Sequence, residues 1–152
     1  GLIMEAKVLQ ELFRTSMPLF IALGDEVRLS IIGVLSQTGL YDDQGRNVVS
    51  FLEGYHSSGK MGMNVKEITE QTSLSRPAIS HHLKILKDAG LVNIRQEGTA
   101  NYYYLTIEKS TRDLRALGRY LEKLLPGETT YDADQKSSHI SSRPPSELRQ
   151  EE

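Results

Sequence analysis

Ser75-Arg76-Pro77-Ala78-Ile79-Ser80-His81-His82-Leu83-Lys84-Ile85-Leu86-Lys87-Asp88-Ala89-Gly90 is the stretch on which the reading of this 152-residue chain turns. At the helical period of about 100° per residue, Ile79, His82, Leu83 and Leu86 fall on one side. Pro77, Ser80, His81, Lys84, Lys87 and Asp88 fall broadly on the other. Ser75 supplies an N-cap, Pro77 sits in the first turn where its missing N–H costs nothing, and Gly90 ends the run. The spacing predicts a helix over 75–89 with one face built to be buried. The other face is small, polar and mostly basic, which suits a helix lying in the major groove of DNA.

Immediately upstream, Asn64 caps a shorter helix over Val65–Gln71, with Glu67 placed three residues on as a capping box requires. Thr72-Ser73-Leu74 joins the two, giving a helix-turn-helix. Downstream, Leu91-Val92-Asn93-Ile94-Arg95 reads as a strand, Gln96 to Ala100 as a turn, and Asn101-Tyr102-Tyr103-Tyr104-Leu105-Thr106 as the return strand. A hairpin in that position is a wing. Leu91, Leu105 and one or two of the tyrosines are expected to pack inward. Arg95 and the turn carrying Thr99 are expected to reach outward, toward phosphates or the minor groove. The fold class is mainly α with a small β-hairpin: a winged helix-turn-helix.

The flanks read as helices. Pro18 cannot continue a helix without losing a hydrogen bond to Arg14, so residues 3–23 read as two pieces, about 3–15 and 17–23, the second capped by Ser16. Asp25 caps a helix from Glu26 to about Gln37, with Val27, Ile31, Val34 and Leu35 as its apolar face and Gly39 as its stop. Arg28 reads as a structural ion-pair partner rather than a DNA contact. The last helix, 107–125, carries Ile107, Leu114, Leu117, Leu121, Leu124 and Leu125 on one face. The flanking helices are expected to form a dimer interface. Between the second and third helices lies an insert, 38–62. Its Val48, Phe51, Leu52 and Tyr55 fit a two-turn helix over 48–55 capped by Asn47, and Arg46–Phe51 alternatively fits a short strand. With Phe13 and Phe20 of the N-terminal helices, those four residues could line an apolar pocket for a small-molecule effector. Residues 1–126 thus form one domain, followed by a polar tail over 127–152 that reads as flexible.

Composition narrows the chemistry. The chain has no cysteine, which removes disulfides, thiolate metal sites and cysteine nucleophiles. The net charge of −2 does not advertise nucleic-acid binding, and its distribution gives a basic signal that is local and weak but sits on the helix and wing. From Gly127 onward six acids face three bases, whereas Ser75–Gly98 holds four Lys/Arg against two acids. No apolar run reaches a membrane span of about 18 residues, and the N-terminus does not resemble a signal peptide, so a soluble cytoplasmic protein is expected. No nucleophile–base pair, metal cluster or Gly-rich cofactor loop is present, so an enzyme is not expected, nor is a cofactor.

Three stretches resemble the ArsR (arsenical-resistance repressor) family of winged-helix regulators. They are Ala22-Leu23-Gly24-Asp25-Glu26-Val27-Arg28-Leu29-Ser30-Ile31-Ile32, the run from Leu74 to Val92, and Arg95-Gln96-Glu97-Gly98 with Tyr102-Tyr103-Tyr104-Leu105. The resemblance covers roughly residues 17–125 and implies a homodimeric repressor that leaves an inverted-repeat operator on binding an inducer. It places Arg76, Pro77, Ser80, His81 and Lys84 on bases and phosphates, and Arg95 with the wing turn on the backbone. His82 packs inward. The chain departs from the family in three ways. The helix over Val65–Glu70 lacks the Cys-x-Cys of metal-sensing members, and the last helix lacks histidine, so metal sensing at those sites is not expected. Thr99 stands where the wing often carries arginine. The 38–62 insert replaces a connection of a few residues. The alternative reading is a winged-helix protein–protein interaction module that does not bind DNA.

Overall fold

The computed structural model describes residues 1–56 and 59–127. The polar tail from residue 128 onward, and Ser58 of the Ser57–Lys60 turn with the residue before it, lie outside the described residues. Five helices and three strands follow in the order α1 (Leu2–Leu23), α2 (Glu26–Ser36), β1 (Leu40–Tyr41), α3 (Val65–Glu70), α4 (Arg76–Asp88), β2 (Val92–Glu97), β3 (Ala100–Thr106) and α5 (Glu108–Leu124). Residues 1–118 form one compact unit, and Arg119 begins a second. Among the described residues no helix is long and apolar enough to cross a membrane.

The core of the first unit is assembled around α4. Ile79, Leu83 and Leu86, the face picked out by the helical period, are fully buried against Ile31 and Leu35 of α2 and Ile68 of α3. Each contributes about 1.5–3 kcal/mol by leaving water. The caps are the ones the local sequence requires. Asp25 accepts the N–H of Arg28 at 3.1 Å. Asn64 accepts the N–H of Glu67 at 2.8 Å, while the Glu67 carboxylate accepts the N–H of Asn64 at 3.3 Å. Ser75 accepts the N–H of Ala78 at 3.4 Å.

Two expectations upstream of the helix-turn-helix are corrected. Residues 2–23 form one continuous helix with Pro18 inside it, and Ser16 is a buried mid-helix residue rather than a cap. An interior proline costs about 3 kcal/mol. Here Ser16, Leu19 and Ala22 are buried while Pro18 faces outward, so tertiary packing of the same face holds the helix through the defect. The insert forms neither the helix over 48–55 nor the strand over 46–51. Leu40 and Tyr41 run parallel to Leu105 and Thr106 of β3, Tyr41 also bridges Asn47, and Met63, just past the insert, pairs with Tyr103. Asn47 caps turns instead, its side chain accepting the N–H groups of Leu40 and Val49, each at 3.3 Å.

The sheet order is β1-β3-β2, with β2 and β3 antiparallel and in register from Val92–Leu105 to Glu97–Ala100. The wing turn is therefore two residues, Gly98-Thr99, tighter than the five-residue turn expected. Gly98 at φ +63°, followed by a residue of negative φ, matches the twist of the strands as a primed turn does. Gly62 is the more constrained glycine. It lies at φ +85°, and a Cβ there would stand 2.5 Å from the Tyr103 carbonyl oxygen. Gly62→Ala is expected to cost about 2–3 kcal/mol, the left-handed penalty plus the clash, by weakening the Met63–Tyr103 pairing. Urea unfolding checks this, and a loss under about 0.5 kcal/mol would show that the insert's return to β3 does not stabilise the fold.

Candidate nucleic-acid interface

The buried face of α4 dictates what its other face does. With Ile79, Leu83 and Leu86 turned inward, Arg76, Pro77, Ser80, His81, Lys84 and Lys87 are all exposed along one side. Among the described residues, Arg76 and Lys87 have no ion pair. Lys84 lies 3.9 Å from Asp88, both well exposed, a pairing worth little in water. The structure thus brings six of the eight expected DNA contacts onto one open helix face.

The wing behaves differently. Thr99 is exposed at the tip. Arg95 instead turns back onto the insert. Its Nε donates to the Met61 carbonyl at 2.7 Å, its Nη1 pairs with Glu97 at 2.6 Å, and its guanidinium lies 4.4 Å from the Tyr102 ring centre. The hydrogen bond from Arg95 holds the Glu97 carboxyl below its ordinary value. Lys60 approaches the same ring at 4.4 Å and bonds Glu67 at 2.8 Å, and this bond to Glu67 is the main cause raising the Lys60 pKa. The base of the wing is therefore tied to the insert and to the capping residue of α3.

His82, the neighbour of His81, is half-buried. Its Nδ1 lies 3.2 Å from Nη1 of Arg28. A guanidinium only donates, so Nδ1 accepts and the ring proton resides on Nε2. Arg28 is itself 8% exposed. Its Nε donates to the Ala22 carbonyl at 2.8 Å and its Nη2 to the Ile21 carbonyl at 3.0 Å, with Asp25 at 3.8 Å. The N–H of Arg28, ahead of its charge, keeps the Asp25 carboxyl below its usual value. Arg28 thus fastens the end of α1 to α4. Its structural role was expected, but its partner on α4 was not. The available signal was its place at i relative to Ile31 and Leu35 at i+3 and i+7, a charge on a face otherwise fully buried.

The residues expected to line an effector pocket are placed as follows. Phe13 and Phe20 are exposed on α1, Phe51 is 80% exposed, and the Tyr55 hydroxyl receives a hydrogen bond from Asn47 at 3.2 Å. None of the six residues lines either of two cavities in the fold, one of about 350 Å³ beside the wing and one of about 260 Å³ between α2 and the turn after α3. Among the described residues no group of three or more His, Asp or Glu side chains is placed to hold a metal ion.

Comparison with known proteins agrees with this geometry. The family described as bacterial regulatory protein, arsR family, matches residues 57–93, which hold the helix-turn-helix and the entry to the wing. An uncharacterised HTH-type transcriptional regulator of Methanocaldococcus jannaschii, MJ1325, is 32% identical over 99 residues, covering 65% of this chain and 86% of that protein. The transcriptional repressor SdpR of Bacillus subtilis is 34% identical over 64 residues, covering 42% of this chain and 64% of SdpR. The crystal structure of an ArsR family transcriptional regulator, RHA00566, superposes with a TM-score of 0.52 at 16% identity, covering 76% of this chain and 95% of that one, a likeness of fold. The chain belongs to the arsR family and is a winged helix-turn-helix DNA-binding transcriptional regulator.

Proposed function

We propose that the chain is a homodimeric repressor that reads an inverted repeat in the cytoplasm, inserting α4 of each protomer into successive major grooves about one helical turn apart. The observation that carries this reading is the open α4 face, on which Arg76, Ser80, His81, Lys84 and Lys87 point away from a fully buried core. Ser80 and His81 read base edges, and Arg76, Lys84 and Lys87 contact phosphates. The wing adds less charge than its sequence suggests, because Arg95 is engaged by Glu97 and Met61. Repression is supported by the likeness to SdpR, a transcriptional repressor. The signal is not a metal at the family's usual sites: the chain lacks cysteine and α5 lacks histidine. Titration of genomic DNA fragments at low salt is expected to show binding that weakens steeply as salt rises. No binding even at the lowest salt would favour a protein-interaction module.

The dimer follows from what α1 leaves uncovered. Its inner face is taken by Ser16, Leu19 and Ala22, yet Phe13, Met17, Phe20 and Ile21 repeat at i, i+4, i+7 and i+8 and are 42–56% exposed. Leu114 of α5 is also exposed. A second copy covers these faces, and we assign Phe13 and Phe20 to that interface. Wild-type protein is expected to elute with twice the chain mass of 17.1 kDa, and Phe13→Glu/Phe20→Glu with the mass of one chain, by light scattering. A wild-type monomer at micromolar concentration would count against the reading.

A further inference from the structure

The insert creates a site as well as a connection. Its Tyr41 ring meets Tyr104 edge-on at 5.5 Å, on the sheet face opposite Tyr103 and Leu105, which pack into the core. Beside that contact, the turn at Asp42–Asp43 closes a cavity of about 350 Å³ against the end of α4 and the outer face of the wing. Its polar lining comes from three directions: Asp42 and Asp43 from the insert, Lys87 from the reading helix, and Asn93, Tyr104 and Thr106 from the strands.

Some of these groups are committed. Asp42 Oδ1 accepts the N–H groups of Gln44 at 3.0 Å and Arg46 at 2.9 Å, and its Oδ2 accepts Arg46 Nε at 2.7 Å. Thr106 donates to the Gly90 carbonyl at 2.9 Å. Asn93 Oδ1 accepts the N–H of Ile94 at 2.9 Å, which leaves its amide donors. Among the described residues, the Lys87 ammonium and the Tyr104 hydroxyl have no hydrogen-bond partner. The Asp43 N–H donates to Glu108 Oε1 at 3.1 Å, and among the described residues its carboxylate has only a long contact, 3.4 Å, to Arg112, whose guanidinium is shared with Glu108 at 3.1 Å. The cavity therefore offers a cation and neutral donors together with one carboxylate free to take a second partner. A simple anion would face Asp43 and a simple cation would face Lys87. A molecule carrying both charges a few atoms apart satisfies both.

We propose that this cavity binds a small zwitterion of the amino-acid type, its carboxylate on Lys87 and the Tyr104 hydroxyl and its ammonium on Asp43. The volume lies at the small end of ligand sites. Because Lys87 also belongs to the DNA-facing set, the bound carboxylate withdraws a cation from the operator, and ligand and DNA oppose each other. That regulatory half rests on the repressor reading proposed above. The coupling must be reciprocal.

Calorimetric titration of the DNA-free full chain with the twenty standard amino acids, first pooled and then singly, tests the site. Acetate and methylammonium serve as single-charge controls. At least one amino acid is expected to bind, with neither control binding. Tyr104→Phe keeps the ring against Tyr41, and Asp43→Asn keeps the shape of the turn. Each is expected to weaken binding about tenfold or more, with ligand-free operator affinity unchanged. No binding by any amino acid, or binding that both variants leave unaltered, overturns the site. The bound amino acid is expected to weaken operator binding about tenfold, and an unchanged operator affinity overturns the coupling. Because the titration is done without DNA, a failure to bind any DNA would refute the repressor reading and leave the ligand result intact.

Discussion

Arg28→Ala is expected to lower the unfolding free energy by about 4 kcal/mol, the largest loss of any single side chain outside the apolar core. The helix α1 ends with carbonyls that have no partner within the helix. Two of them, at Ile21 and Ala22, are satisfied by the guanidinium of a nearly buried arginine, and a third arm of the same group reaches His82. Truncation leaves the buried Ala22 carbonyl without its donor and removes one donor each from the part-buried Ile21 carbonyl, which keeps the Gly24 N–H at 3.3 Å, and the His82 ring. Arg28→Lys recovers only part of the loss, because one ammonium cannot reproduce a planar fork with three directed donors. His82→Leu removes one acceptor and is expected to cost about 1 kcal/mol. A double-mutant cycle of Arg28 and His82 is expected to give a coupling of about 1 kcal/mol, since the two side chains touch. Urea unfolding measures all four variants. A loss below about 1 kcal/mol for Arg28→Ala would show that the junction of α1, α2 and α4 is held by apolar packing alone.

Arg76→Ala/Lys84→Ala is expected to weaken operator binding about a thousandfold near 0.1 M salt while leaving stability within about 0.5 kcal/mol of wild type. Both residues are exposed, Arg76 has no ion pair among the described residues, and the Lys84–Asp88 contact is long. In a dimer each substitution counts twice, so four phosphate contacts are removed. The plot of log affinity against log salt should flatten by about 3.6 units. Ser80 and His81 are expected to act on a different quantity. Their replacement should change which sequences are preferred, by about 1–3 kcal/mol at a contacted base pair. If the double variant keeps both its affinity and its salt slope, the two cations do not face DNA. If Ser80 and His81 variants weaken all sequences equally, they do not read bases.

Where interactions are short-range, the chain discloses them. Ser75, Pro77 and Gly90 bound α4 within one turn of its ends, and the helical period alone separates outward His81 from half-buried His82. The Asn64–Glu67 box is legible for the same reason. What was not legible depends on distant partners. Pro18 argues locally for a break, and only the burial of Ser16, Leu19 and Ala22 against other helices shows why α1 continues through it. The insert has no regular pattern because its order comes from pairing at Leu40, Tyr41 and Met63 with β3, residues far along the chain. Arg95 looks like a free wing cation until Met61 and Glu97 are placed beside it. The exposed stripe on α1 is invisible in a core-or-surface reading, because its residues are as apolar as those facing inward.

The binding claim is tested most directly by selecting bound sequences from a random double-stranded DNA pool with the full chain. The account predicts enrichment of an inverted repeat whose half-sites are centred about 10 base pairs apart. Its enriched positions should shift when Ser80 or His81 is changed. Recovery of a pool with no enriched sequence after repeated rounds at low salt would contradict it.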